Sequence, residues 1–404
     1  DENHRDTPPR EWQSVLPHAL PLTCRLRVDT GPMRVLGVAV VAVLLLLTGA
    51  NEASAQPRIL LSQEELPPAA VPTQAGDSVR VRYSTLRTAT ATGESTGSVF
   101  LPRGDPPDGG WPVVSYAHGT VGIADQCAPS VAGLNYVELP AVEQWLAAGY
   151  AVAATDYAGI GTPGVNAYLD GPAAAANAVD IVLAAHDIYG DVLSDRWIVT
   201  GLSQGGHATY FAARDAAARA PALDYRGAVA VAAPTHLEQL FPAAGPAIPA
   251  LPTTGIVNYA LLTLAGIDDQ RPEVDIRRYL SPKGIELMEL AKVTCSRELG
   301  RYLLAHPTSV GDLFAAPLWN EQFRELFREM QQVPVDGFDR PLRVVHSLSD
   351  TSVPIPLTWA QLAEMQQHGA NVEYQQLVAE NHRESLMASM PDSLAFADRV
   401  LSAG

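Results

Sequence analysis

The stretch Gly201-Leu202-Ser203-Gln204-Gly205 places a serine in the pattern G-x-S-x-G. A serine hydroxyl is a weak nucleophile by itself. It becomes an effective one when an imidazole takes its proton and a carboxylate holds that imidazole. The pattern is short enough to arise by chance, so its surroundings carry the argument. It follows the strand-like "WIVT" at 197–200 and runs straight into "GGHATYFAARDAAARA", which is alanine-rich with apolar positions at helical spacing. A sharp strand-to-helix turn would hold Ser203 in a strained conformation at its tip, and side chains at 201 and 205 would collide across it. The same turn aims the N–H of Gln204 and the helix N-terminus at the point where an attacked carbonyl gathers negative charge. The competing reading is a serine in a purely structural turn.

The base and acid must come from elsewhere. His207 is close in sequence, but it lies on the helix launched by the turn and points along it, which makes it a helix-packing residue. On a strand–turn–helix scaffold of this kind the partners follow later, in the order serine, acid, histidine, on loops after subsequent strands. "LRVVHSLSDTSVP" supplies Asp350 after a strand, whereas Asp336 and Asp339 precede that strand. "VEYQQLVAENHRESL" supplies His382 after the last strand. Of the ten histidines, only His382 has that position: His186 and His368 fall on helix patterns, His236 and His306 in or beside a helical insertion, and His346 within or at the end of a strand. A second donor to the developing oxyanion is expected from "SYAHGTVG", where the backbone N–H of either Gly119 or Thr120 can serve. His118 reads as a loop-packing residue.

The elements that must position these groups alternate regularly. "SVRVRYSTL" (78–86) has the period of a half-buried strand, with Ser98–Leu101 as its partner. "WPVVSYA" (111–117), "YAVAATDY" (150–157), "WIVTGL" (197–202) and "GAVAVAAP" (227–234) read as strands buried on both faces. Helical stretches lie between them, which implies a mostly parallel sheet covered by helices on both sides. The alternation breaks after Pro234 and resumes near Arg340 with "RPLRVVHSL", so the expected architecture is one α/β domain over 78–404 with a helical insertion at about 236–338. "GIGTPG" at 159–164 matches a dinucleotide-binding pattern, but Pro163 and several further loop residues separate it from any helix. It reads as a structured loop, and no cofactor is expected. The acidic stretch "IDDQRPEVD" has no ordered ligand spacing and no H-E-x-x-H pattern occurs, so no metal is expected either.

Composition narrows the partners. Hydrophobic residues make up 47% of 404 and charged ones 18%, enough for a large core. The net charge of −17 is a poor match for nucleic acid, whose phosphates need Lys and Arg opposite them. From Met33 the chain reads as a secretory signal peptide over 33–55: a basic residue, an apolar run from Val35 to Leu47, then Ala53-Ser54-Ala55 before the cut. The run is shorter than the ~20 residues of a spanning helix, although a retained anchor is the competing reading. Residues 1–32 are then an upstream extension outside the folded protein, and 56–77 a Pro-rich lead-in. Export leaves Cys127 and Cys295 in the mature chain, and a single pair in an oxidising compartment argues for a disulfide, with two buried thiols as the competing reading.

Taken together, "YAHGTVGIADQCAPS", "ATDYAGIGTPGVNAYLDG", "GLSQGGHA" and "SDTSVP" followed by "NH" resemble the secreted lipases of the α/β-hydrolase superfamily found in yeasts and actinobacteria. The resemblance covers most of 78–404. It implies the α/β-hydrolase fold, with Ser203, Asp350 and His382 as nucleophile, acid and base. It also implies Cys127–Cys295 as a disulfide and the insertion as a lid over an acyl-binding cleft. The implied activity is hydrolysis of acylglycerols or shorter esters, with a lipid or ester substrate that could be met at a lipid–water interface. The insertion's "LFPAAGPAIPALPTTGIVNYALLTLAG" (240–266) is almost uncharged, as a lipid-facing surface would be, and equally as a helix pair packed on the main domain would be. Two other functions fit the same residues: a peptidase or amidase, and a non-catalytic lipid-binding protein of this fold.

Overall fold

The computed structural model describes residues 59–249 and 255–402; the expected signal segment and the extension before it lie outside them. The chain runs through β1 (Leu60–Glu64), β2 (Ala75–Leu86), β3 (Thr92–Pro102), β4 (Trp111–Ala117), α1 (Pro129–Ala132), α2 (Glu138–Ala147), β5 (Ala151–Thr155), α3 (Gly171–Tyr189), β6 (Leu193–Leu202), α4 (Gln204–Arg219) and β7 (Asp224–Val231). Five helices then intervene: α5 (Leu237–Leu240), α6 (Gly255–Gln270), α7 (Pro282–Val293), α8 (Ser296–Ala305) and α9 (Glu321–Gln331). β8 (Leu342–Ser347), α10 (Ile355–Gln367), β9 (Val372–Leu377) and α11 (Glu384–Ser402) complete the chain.

The strands form one sheet in the order β1-β2-β3-β5-β4-β6-β7-β8-β9. β1, β2, β3 and β5 pair antiparallel in turn, and every pair from β5–β4 to β8–β9 is parallel. The sheet is therefore mostly parallel, as the alternation of the sequence requires. The apolar runs of β4 to β7 are buried on both faces because each face carries its own core. Val179, Ile181, Tyr210 and Phe211 of α3 and α4 pack on one side. Trp145 and Leu146 of α2, with Phe396 and Val400 of α11, pack on the other. The Pro-rich segment contributes β1 and the first residues of β2.

Residues between β7 and β8 have a core of their own, built from Leu261, Leu264, Met288, Leu299, Phe323 and Phe327. Ile123, Tyr168 and Leu169, from the loops after β4 and β5, belong to the same cluster. Most apolar residues of α6 point into it, with Leu261 and Leu262 wholly buried and Ile256 exposed, so this part of the uncharged stretch packs on the main domain. Polar contacts tie the same surfaces. Asp269 pairs with Arg87 and accepts the Val165 N–H at 3.1 Å. Arg271 stands 4.0 Å from Asp170, the residue that caps α3. The Cys127–Cys295 disulfide, 5.5 Å between Cα atoms, joins the loop after β4 to the start of α8.

Candidate active site

The turn between β6 and α4 is set by backbone contacts. Ser203 sits at φ 57° and ψ −114°, a region most side chains avoid. Its N–H donates to the Val231 carbonyl at 2.9 Å and its carbonyl accepts the His207 N–H at 2.9 Å. There is no space for a side chain on either flank. A Cβ at Gly201 would stand 2.4 Å from the Ala117 carbonyl oxygen, and one at Gly205 only 1.8 Å from it. Gly206 allows the helix to approach β7 in the same way, since a Cβ there would lie 2.7 Å from the Val231 oxygen. Gln204 follows the serine as the first residue of α4, so its N–H has no partner within the helix.

The loop after β4 runs alongside. A Cβ at Gly119 would be 3.8 Å from the Ser203 Cβ. The Gly119 N–H, however, donates to Glu138 Oε1 at 2.7 Å. Glu138 is buried at the start of α2 and also accepts from the Tyr116 hydroxyl and from Asn135. Of the two oxyanion donors left open by the sequence, the Gly119 N–H is thus already engaged. The Thr120 N–H has no partner among the described residues, while the Thr120 hydroxyl meets the Tyr168 hydroxyl at 2.6 Å. His118 is buried, with Nδ1 2.6 Å from the Gly119 carbonyl and its ring against Tyr157.

Asp350 lies in the turn after β8 and His382 in the turn after β9. His382 Nδ1 is 2.6 Å from Asp350 Oδ2. A carboxylate accepts, so Nδ1 carries the proton and Nε2 keeps a free lone pair, the arrangement a general base needs. Asp350 Oδ1 accepts the backbone N–H groups of Ser352 and Val353, each at 2.8 Å. Burial pushes the Asp350 carboxyl up, but the neighbouring His346 and His382 imidazoles and the Val353 N–H outweigh it and hold the group well below the usual carboxylate range. Asp336, exposed, meets His368 instead. His207 is fully buried on α4 against Phe211, 3.4 Å from the Gln331 carbonyl, and burial pushes its imidazole down to about 4.

A cleft of about 550 Å³ opens beside His382, walled by Tyr136, Val137, Tyr259, Thr351, Ser352 and Met387. Tyr259 comes from α6, so the insertion supplies part of the wall. Arg383 donates to the Tyr136 hydroxyl at 2.9 Å at the rim. The "GIGTPG" segment is a loop, with Gly159, Gly161 and Gly164 all at positive φ and the Gly159 N–H bonded to the Thr162 hydroxyl. No group of His, Cys, Asp and Glu able to hold a metal occurs among the described residues. Two residues of the site carried no functional signal in the sequence: Glu138, which fixes the Gly119 loop, and His346, which touches Asp350.

A doubly covered, mostly parallel sheet with a sharp serine turn at the end of a central strand defines an α/β-hydrolase. Residues 131–403 match the secretory lipase family model, and the chain belongs to that family. Its fold is similar to that of Candida antarctica lipase A in its closed state (21% identity over 85% of this chain and 82% of that one, TM-score 0.67). It is also similar to the rice cell wall degrading esterase LipA from Xanthomonas oryzae (18% identity, 86% and 99% coverage, TM-score 0.66). No curated protein matches the sequence. Membership of the family makes the chain a hydrolase of the lipase and esterase class.

Proposed function

We propose that the protein is a secreted serine ester hydrolase that cleaves acylglycerols or similar carboxylic esters through an acyl-enzyme. Ser203 attacks the ester carbonyl while His382 Nε2 takes its proton, and Asp350 holds the imidazole in the tautomer that leaves Nε2 free. The N–H groups of Gln204 and Thr120 receive the tetrahedral oxyanion. His382 then protonates the departing alcohol, and water repeats the sequence on the acyl-enzyme. The observation that carries this reading is the 2.6 Å Asp350–His382 contact at the ends of two adjacent parallel strands, on the sheet whose β6 ends in the strained serine turn. The α5–α9 segment acts as a cap contributing Tyr259 to the cleft, and residues 33–55 direct export.

The test is Ser203→Ala. It should abolish p-nitrophenyl ester hydrolysis and labelling by a fluorophosphonate probe while leaving the thermal transition in place. Full activity in that variant would remove Ser203 from the mechanism. A chain-length series of esters, run below and above their solubility limits, then separates a lipase from a short-chain esterase.

A further inference from the structure

Asp350 is contacted by two imidazoles, and only His382 has a task so far. His346, the fifth residue of β8, is fully buried. Its Nε2 lies 3.2 Å from Asp350 Oδ2 and 3.0 Å from the Val353 carbonyl oxygen. Its Nδ1 lies 2.7 Å from Thr358 Oγ1 on α10. Both groups facing Nε2 are acceptors, so the proton belongs on Nε2. The Nδ1 lone pair then accepts the Thr358 hydroxyl proton. The surroundings thereby select one tautomer.

We propose that His346 is a positioning residue for the ester-hydrolysing triad. Held as the Nε2–H tautomer by Thr358, it donates to the same carboxylate oxygen that receives the His382 proton, and so keeps that oxygen ionised and aimed at His382. This rests on the triad reading above. The reason lies in how a carboxylate is held. Oδ1 takes two backbone N–H groups; Oδ2 takes the His382 N–H and stands 3.2 Å from His346 Nε2, whose one proton lies between it and the Val353 carbonyl. No other rotamer of the group keeps all of these contacts. Without His346, one lone pair of Oδ2 would be buried and unmet, and the group could turn or bind a proton instead. The other ionisable groups lining this corner are Tyr136, Tyr259 on α6, and Arg383 and Glu384 beside His382.

The experiment compares wild type with His346→Leu, His346→Gln, Thr358→Val, Asp350→Asn and the His346→Leu/Asp350→Asn double variant on a soluble ester, as kcat and KM across pH. Losing one hydrogen bond to a charged group predicts that His346→Leu lowers kcat by about 10- to 100-fold with KM unchanged. The carboxylate it leaves is less neutralised, favours the His382 imidazolium, and moves the acidic limb of the profile to higher pH. Gln, which offers an N–H at a similar reach, should recover most of the loss. Thr358→Val should cost about 3- to 10-fold by freeing the tautomer. On the Asp350→Asn background the His346 substitution should cost little more, because the partner it positions is gone. Equal losses in both backgrounds, or an unmoved pH profile, would overturn the proposal. If His346→Leu does not fold, an unaffected Thr358→Val overturns it equally. The triad reading fails by a different result, full activity in Asp350→Asn itself.

Discussion

The Ser203 turn and the Asp350 turn are held by opposite means. Around Ser203 the geometry is steric: a positive φ, two backbone hydrogen bonds and glycines whose missing Cβ atoms let three chain segments touch. The serine side chain caps no helix N–H. Around Asp350 the geometry is electrostatic, since a carboxylate with little solvent contact is met by two backbone N–H groups and the His382 imidazole, with the His346 imidazole 3.2 Å away. On the proposed mechanism the difference follows from the job: the nucleophile has to present one atom and be free to transfer its proton, whereas the acid keeps its charge and can be held by several donors.

The contrast can be broken or sharpened in three ways. The largest expected effect is Asp350→Asn, which should cost on the order of 10⁴ in turnover by reversing the donor that faces His382; kcat on a soluble ester measures it. A loss of only tenfold would shift the acid's part to Asp336 or Asp339. Its stability effect should depend on pH with a definite sign. The carboxyl titrates lower in the folded protein than in the unfolded chain, so its contribution is present above the ordinary value of about 3.9 and is lost as pH falls toward the depressed folded value. Denaturant unfolding at pH 7, 5 and 3.5 should show the wild-type advantage over Asp350→Asn fading only at the last.

Gly205→Ala comes next. A methyl group 1.8 Å from the Ala117 oxygen forces β4 and α4 apart, which should cost on the order of 3 kcal/mol in unfolding free energy and most of the activity. Because the clash is between a methyl group and backbone atoms, that penalty should be flat between pH 5 and 8; a strongly pH-dependent penalty would mean the turn is electrostatic after all.

The smallest effect is His207→Met, four residues beyond the serine. If His207 only packs, turnover at pH 7.5 stays at the wild-type level; a collapse of turnover would make it the base. The stability profile should still change. The folded imidazole is pushed down to about 4, so wild type loses stability as pH falls from about 6.5 toward 4, by up to about 1.4 kcal/mol per pH unit. Methionine should flatten that slope in urea titrations.

Much of this was legible in the chain because the signals are local. β4 spans the same residues as the apolar run "WPVVSYA", and the strand-turn-helix at Ser203 was written in one continuous run from Trp197 through the alanine-rich stretch after the turn. Strand order alone put Asp350 and His382, the acid and base of the proposed triad, in turns after their strands, and the structure sets the two in contact. What stayed hidden depends on partners. Leu60–Glu64 is a mostly exposed edge strand, so it carries no burial pattern to read. β3 is recognisable only near Ser98–Leu101 because its first half, "TGESTG", is small and polar and becomes a strand by pairing with β2. Glu138 and His346 are ordinary helix and strand residues until the fold sets one against the Gly119 N–H and the other against Asp350.

The Cys127–Cys295 bond closes a covalent ring that contains β5, α3, the serine turn and all of α6 and α7, while Asp350 and His382 sit on the open tail outside it. A single proteolytic nick anywhere between residues 128 and 294 therefore linearises the ring without releasing a fragment. Nicked chains should migrate as one species in denaturing gels until a reductant is added, and only then separate.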